Sequence, residues 1–246
     1  MAEINFPTER ISLPSGGKLY PKDSALASGE VELRYLTARD EDILTNASFI
    51  EKGVVVDKLL QSLIADKDIN YADLLIGDKN ALLLAARILG YGSKYTFEWG
   101  GETHEIDLSQ IENKELHPDF VKATENRFTF TCPTTGTVIE FKLLTHADEQ
   151  MLESELRGLK KLYKEGAPEL STRIKYMILS VDGESDRAKV RSWVDNAFLA
   201  RDSREFRKYI AELQPDVDMK FYPDNGPEEG VQIPINTSFL WPDLAN

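Results

Sequence analysis

The chain has 246 residues, 41% of them hydrophobic and 29% charged, with a formal net charge of −13. That length holds one large domain or two modest ones, and the composition is that of a globular protein. The negative balance argues against sequence-independent binding to nucleic acid, which needs a basic footprint, while leaving room for a local basic face.

Residues 1–28 read as an extended N-terminal arm. The opening MAEINFPTER has neither a positive nor an apolar targeting region, so no signal peptide is expected. Pro7, Pro14 and Pro21, with Gly16 and Gly17, discourage helix and central strand alike. Leu13, Leu19, Tyr20 and Leu26 are spaced as apolar anchors, either onto the arm's own domain or onto a partner. Leu13, Leu19 and Tyr20 are taken as candidate partner-binding residues.

Residues 29–92 read as a first helical module. Val31, Leu33 and Tyr35 alternate with Glu30, Glu32 and Arg34, predicting a half-buried strand. Thr37 with Asp40 predicts a capping box. Val54 to Ala65 predicts an apolar helix. Leu74 to Gly92 predicts a buried one, with Asp78 as N-cap, Gly90 and Gly92 as stop, and an Arg87 that needs a partner.

Residues 93–143 read as a β insertion. Tyr95 to Ile106 and Phe128 to Leu143 predict two hairpins, expected to pair into one small antiparallel sheet. The second turn, Cys132-Pro-Thr-Thr-Gly136, has the outline of a zinc-ribbon knuckle. Thr135 stands where a second cysteine would, and Cys132 with His104 supplies two ligands at best, so no metal is expected. The lone Cys132 has no disulfide partner within the chain, which fits a reducing compartment. His117 and His146 are too scattered to form a site.

Residues 144–214 read as a second helical module. An amphipathic helix from Thr145 is expected to point Met151, Leu152, Leu156, Leu159 and Leu162 inward. Helices at Glu169 to Val181 (capped by Ser171 or Thr172), Ser185 to Phe198 and Ser203 to Leu213 follow, the last capped by Asp202. Residues 215–246 read as a Pro- and Gly-rich tail whose Phe239, Leu240 and Trp241 anchor onto the domain or a partner. Deleting Asp216 to Asn246 is expected to leave the helical content intact. No apolar run approaches the roughly 20 residues of a membrane span.

The two helical modules overlay. Leu36-Thr37-x-x-Asp40-Glu41-x-x-Leu44 recurs as Leu144-Thr145-x-x-Asp148-Glu149-x-x-Leu152. Lys58 to Ile64 lies opposite Arg173 to Leu179, and Asp78, Leu82 and Ala86 fall on Asp202, Phe206 and Ile210. The expected fold class is α+β, predominantly α-helical, with a duplicated helical module and two inserted hairpins of degenerate zinc-ribbon type.

No phosphate loop, dinucleotide fingerprint, nucleophile elbow or metalloprotease motif is present in the sequence. Arg201 and Arg204, flanking Asp202, are the remaining candidate binding residues: an anion site at a helix N-terminus, or an N-cap with surface ion pairs. The strings LPSGGKLYP (13–21), LTARDEDILTN (36–46), DKLLQSLI (57–64), DLLIGDKNALLLAARILGYG (73–92), FKLLT (141–145) and ARDSR (200–204) resemble, in order and over nearly the whole chain, the T4-like bacteriophage baseplate proteins that act in assembly of the baseplate hub. The resemblance implies CxxC-type knuckles in relatives where this chain has Trp99-Gly-Gly101 and Cys132-x-x-Thr135. It implies a non-enzymatic assembly chaperone without cofactor, working in the host cytoplasm on hub proteins of a contractile tail. The alternative it allows is a hub subunit kept in the virion baseplate. A metal- or nucleic-acid-binding module on the hairpins is the contrasting class. No nucleic-acid or membrane partner is expected, and a homo-oligomer stays open.

Overall fold

Alternation from Glu30 to Arg34 builds a strand, β2, with Val31 and Leu33 buried and the charged residues between them outward. Its partner is β1, Thr8–Ser12, antiparallel with Ile11 opposite Val31. The computed structural model describes residues 7–163, 166–223, 226–227, 229–235 and 237–240. The fold is α+β: helices with several small two- or three-stranded antiparallel sheets.

The first half continues through α1 (Ala38–Leu44), α2 (Ala47–Lys52), α3 (Val55–Leu63) and α4 (Ile76–Tyr91). Thr37 and Asp40 form the expected capping box on α1. Asp40 is buried and also receives two guanidinium bonds from Arg34, at 2.7 Å each. Burial opposes its ionisation, but Arg34, Thr37 and Ser62 outweigh it and hold the carboxyl well below the usual range. After α3, Ile64 bridges to Leu33, as a rudimentary third strand beside β2.

The second half also opens on a hairpin followed by a capped helix. β5 (Phe128–Thr131) and β6 (Val138–Phe141) form a hairpin, and α6 (His146–Leu162) opens on a Thr145/Asp148 capping box. Lys142 bonds Asp148 at 2.7 Å, in the place Arg34 takes beside Asp40. Then come α7 (Glu169–Met177), β7 (Ile178–Val181), α8 (Arg187–Asn196) and α9 (Ala200–Leu213). Phe141 pairs with Ile178 as Leu33 meets Ile64. That pairing places Ile64 opposite Ile178, one residue off the register that opposed it to Leu179.

Between the halves lie β3 (Lys94–Trp99), β4 (Glu102–Asp107) and the short α5 (Pro118–Lys122). After α9 the chain forms β8 (Lys220–Phe221), β9 (Val231–Gln232) and α10 (Thr237–Leu240). Two cores result. One gathers β1, β2, α3 and α4 with Tyr95, Phe97, Val217, Met219, Phe221, Ile233, Phe239 and Leu240. The other gathers Phe120, β5 to β7 and the inner faces of α7, α8 and α9 around Phe141 and Phe206.

Several expectations are corrected. The two hairpins do not pair: β3–β4 stands alone, and β5–β6 belongs to a three-stranded sheet with β7. No zinc-ribbon arrangement follows, because Phe97 and Phe141 direct each hairpin into a different core. Residues 7–28 pack on their own domain, the first of the two alternatives, but not as an extended arm: β1 is a paired strand, and Leu13 and Leu26 are core residues. Asp78 and Asp202 are not N-caps: Leu75 and Leu199 cap their helices, and each aspartate is the third helical residue. α7 begins after Pro168, with Thr172 bonded back to the Pro168 carbonyl, and ends at Met177, where the β-branched Ile178 opens the strand. Of the five apolar α6 residues expected to point inward, Leu152 is buried, Leu156 and Leu159 are half-buried, and Met151 and Leu162 are 52% and 77% exposed, because α7 covers one side of the helix only. Arg87 finds carbonyls rather than a carboxylate, donating to Gly92 O and Lys94 O beneath the Tyr91 and Tyr95 rings.

The tail correction carries a measurable outcome. Gly77 has no room for a side chain, since a Cβ there would lie 1.7 Å from Pro215 O. The segment after α9 is thus pressed onto α4, and Phe221 and Phe239 are integral to the first core. Removing one such phenylalanine costs about 3–5 kcal/mol. Deletion of residues 216–246 is therefore expected to lower Tm by about 10 °C or more, with loss of helical circular dichroism.

Candidate functional site

The most polar buried feature is a clamp, present once in each half. α4 starts at Ile76, which leaves Asp78 in the first turn, where a carboxylate complements the helix dipole. Its oxygens turn away from the helix toward the β1–β2 connection. Ser15 N donates to Oδ1 at 2.9 Å, Ser15 Oγ to Oδ2 at 2.7 Å, and Tyr20 Oη to Oδ2 at 2.5 Å. Tyr20 Oη in turn accepts from Leu75 N. Burial pushes the Asp78 carboxyl up against the pull of Ser15 and Tyr20, and burial beside Asp78 pushes the Tyr20 phenol up as well.

Asp202 holds the same place on α9. Thr134 N donates to its Oδ1 at 2.8 Å and Thr135 Oγ1 to its Oδ2 at 3.2 Å. Burial works against ionisation here too, but the Thr134 and Thr135 donors prevail and the carboxyl lies below its ordinary value. The turns they hold are similar but not identical: Leu13-Pro-Ser15 closes with Gly16 N donating to Leu13 O, three residues back, and Cys132-Pro-Thr134 closes with Gly136 N donating to Cys132 O, four residues back. The shared proline, hydroxyl residue and following glycine were the available signal for this pairing. The knuckle outline of the second turn obscured it.

Where the halves meet, polar groups gather around His146. Its backbone N donates to Leu74 O, and Thr145 bridges Leu75. Its Nδ1 lies 3.4 Å from Lys79 Nζ, and Lys79 is paired with Asp57 at 2.7 Å. Tyr71 Oη donates to Asp57, and its ring meets the imidazole edge-on. An ammonium can only donate, so the contact suits the tautomer in which Nδ1 accepts; Nε2 is buried without a hydrogen-bond partner, with Asp57 Oδ2 3.6 Å away. Desolvation depresses the imidazole pKa; Asp57 works against this and Lys79 with it.

The candidate residues read from sequence do not form one surface. Leu13, Phe239 and Leu240 are core residues, unavailable to a partner in this fold, because the arm and tail pack on their own domain. Tyr20 is half-buried in the clamp, and Leu19, at φ 72°, packs against the second core. Trp241 lies outside the described residues. Arg201 and Arg204 are exposed on α9, where Asp202 between them faces inward. Cys132 is buried in the second core and His104 sits on the separate β3–β4 sheet. Among the described residues no three His, Cys, Asp or Glu side chains converge as a metal site, and no helix is long and apolar enough to cross a membrane.

No protein-family model, curated protein or solved structure matches the chain.

Two outcomes test this geometry. Asp78→Ala leaves Ser15 N and Ser15 Oγ buried without an acceptor, an expected loss on the order of 3 kcal/mol in urea unfolding. Asp202→Ala is expected to destabilise in the same direction. For His146 the folded imidazole titrates below the unfolded value of about 6.5, so the unfolded state binds its proton first. Stability tied to neutral His146 is therefore full above about pH 6.5 and falls as pH drops through the folded pKa. His146→Gln is expected to flatten that part of a Tm-against-pH curve, above the carboxylate range near about pH 4.

Proposed function

We propose that this chain is a non-enzymatic assembly factor of a contractile-tail baseplate hub, built from a duplicated module. The observation that supports this most directly is where the resembling strings fall. LPSGGKLYP and DLLIGDKNALLLAARILGYG are the two sides of the Asp78 clamp. FKLLT leads into the Thr145/Asp148 capping box, and ARDSR carries Asp202 of the second clamp. The resemblance thus concentrates on residues that hold the fold, which is what a shared scaffold requires. The duplication rests on the two clamps, the two capping boxes and the Arg34 and Lys142 ion pairs recurring in one order. An assembly factor works through surface contacts, and the exposed Met151 and Leu162 on α6 and the arginines of α9 are surfaces of that kind.

The test is mass spectrometry of purified mature particles alongside affinity isolation from infected cells. A transient chaperone is expected to co-purify with a hub protein during assembly and to be missing from the particle. Stoichiometric recovery in mature particles would instead establish the structural-subunit reading, and the lack of any hub protein in the isolate would sink both.

A further inference from the structure

The clamps fix a residue-by-residue correspondence between α4 and α9, because Asp78 and Asp202 are the third residue of each helix and grip similar turns. Gly77 then corresponds to Arg201, Asn80 to Arg204, Leu83 to Arg207 and Leu84 to Lys208. On α4 this face is occupied. The extended segment Pro215–Met219, carrying Asp216 and Asp218, crosses it with Pro215 against Gly77. Asn80 Nδ2 donates to both Asp216 oxygens, at 3.1 and 3.3 Å. On α9 all four corresponding positions are cations exposed to solvent among the described residues, with Arg207 Nε donating to Ser203 O of its own helix.

This is a local reversal of charge in a chain whose net charge is −13. Arg201 and Arg204 have no carboxylate partner among the described residues, and Lys208 reaches Glu212 only at 4.0 Å. Arg201 and Lys208 line an open groove of about 380 Å³ together with Phe130 and Tyr209, and Glu205 and Glu212 also line it, so the positive charge is concentrated outside the groove, at Arg204 and Arg207, and at its Arg201 and Lys208 rim. The outer edge of β5, which forms one wall, is unpaired in the described sheet.

We infer that the Arg201, Arg204, Arg207 and Lys208 face of α9 is the docking site for an extended acidic segment of a partner protein. That segment passes Arg204 as Asp216 passes Asn80, but it stands off from the helix at Arg201, whose side chain excludes the close approach that Pro215 makes to Gly77. An acidic side chain takes the Asp216 position, where Arg204 replaces the neutral amide of Asn80 with a two-pronged cationic donor suited to a carboxylate. The groove receives an apolar side chain of the same segment. This deepens the assembly-factor reading by naming the partner's chemistry, and it rests on that reading only in placing the work at a protein–protein contact.

The experiment uses the full chain and a fluorescein-labelled peptide of the sequence PDVDMKF, taken from residues 215–221. Fluorescence anisotropy at low salt is expected to show saturable binding. Converting both peptide aspartates to asparagine is expected to weaken it at least about tenfold, as is the variant Arg204→Glu/Arg207→Glu, and added salt is expected to weaken it further. Both substitutions are on exposed positions, and an unchanged Tm confirms that the variant folds. Binding absent below about 1 mM, equal for the asparagine peptide, or indifferent to the charge reversal would overturn the proposal. So would a single-stranded oligonucleotide that binds more tightly through the same arginines, which would make this a phosphate-binding face. The peptide is synthetic, so a failure to find any hub partner and a failure of this face are separately visible.

Discussion

A carboxylate buried in the first turn of a helix must find its hydrogen bonds outside that helix or be expelled from the core. Asp78 and Asp202 meet that constraint by gripping a proline-containing turn far away in sequence. For Asp78 the grip takes in a backbone amide, a serine hydroxyl and a tyrosine hydroxyl, so three geometries must be correct together. Because hydrogen bonds are directional where apolar contacts are not, the clamp sets the angle and register at which each hairpin meets its last helix. The apolar cores then fill the space thus defined, with Leu82 and Phe206 fully buried one turn beyond the respective aspartates.

The same economy of means recurs at the first helix of each half. Asp40 and Asp148 close a capping box on their own helix and, with a second set of lone pairs, hold a cation, Arg34 from the end of β2 or Lys142 from just beyond β6. Strand, helix start and cation are thereby locked as one unit. The two halves differ in what surrounds these contacts. The first half wraps its last helix in added structure until Ala81, Leu82, Leu83, Leu84, Ala85 and Ala86 are all buried. The second half leaves one side of its last helix in water, and that side is charged.

Much of this was legible in the residues. Strict alternation marked β2 and both hairpins, the Thr-x-x-Asp signatures marked two helix starts, and the apolar run of α4 announced a buried helix. Long-range partnership was not legible. Nothing local distinguishes an aspartate that caps its own helix from one that stands three residues in and reaches across the fold, and this misplaced Asp78 and Asp202. β7 was missed because Ile178 to Val181 continues the apolar pattern of α7, and a short apolar run reads equally as helix or strand. The prolines of the first 28 residues and of the tail suggested loose ends, yet a proline at a strand margin or in a turn is compatible with tight packing. Of the candidate site, Arg201 and Arg204 could be read from sequence, while Arg207 and Lys208 gain meaning only once α4 shows what their positions hold.

The crossing of the C-terminal segment onto α4 bears on the order in which the protein is made. A ribosome delivers the first half complete with its strands and helices long before Val217, Phe221 and Phe239 emerge. Domains usually fold as units, N-terminal first, during synthesis. Here the first core lacks part of its apolar packing until residues 217–240 have emerged, whereas the second core, among the described residues, is complete at Leu213. The core begun by β1 and β2 is thus the one completed by residues made after those of the other.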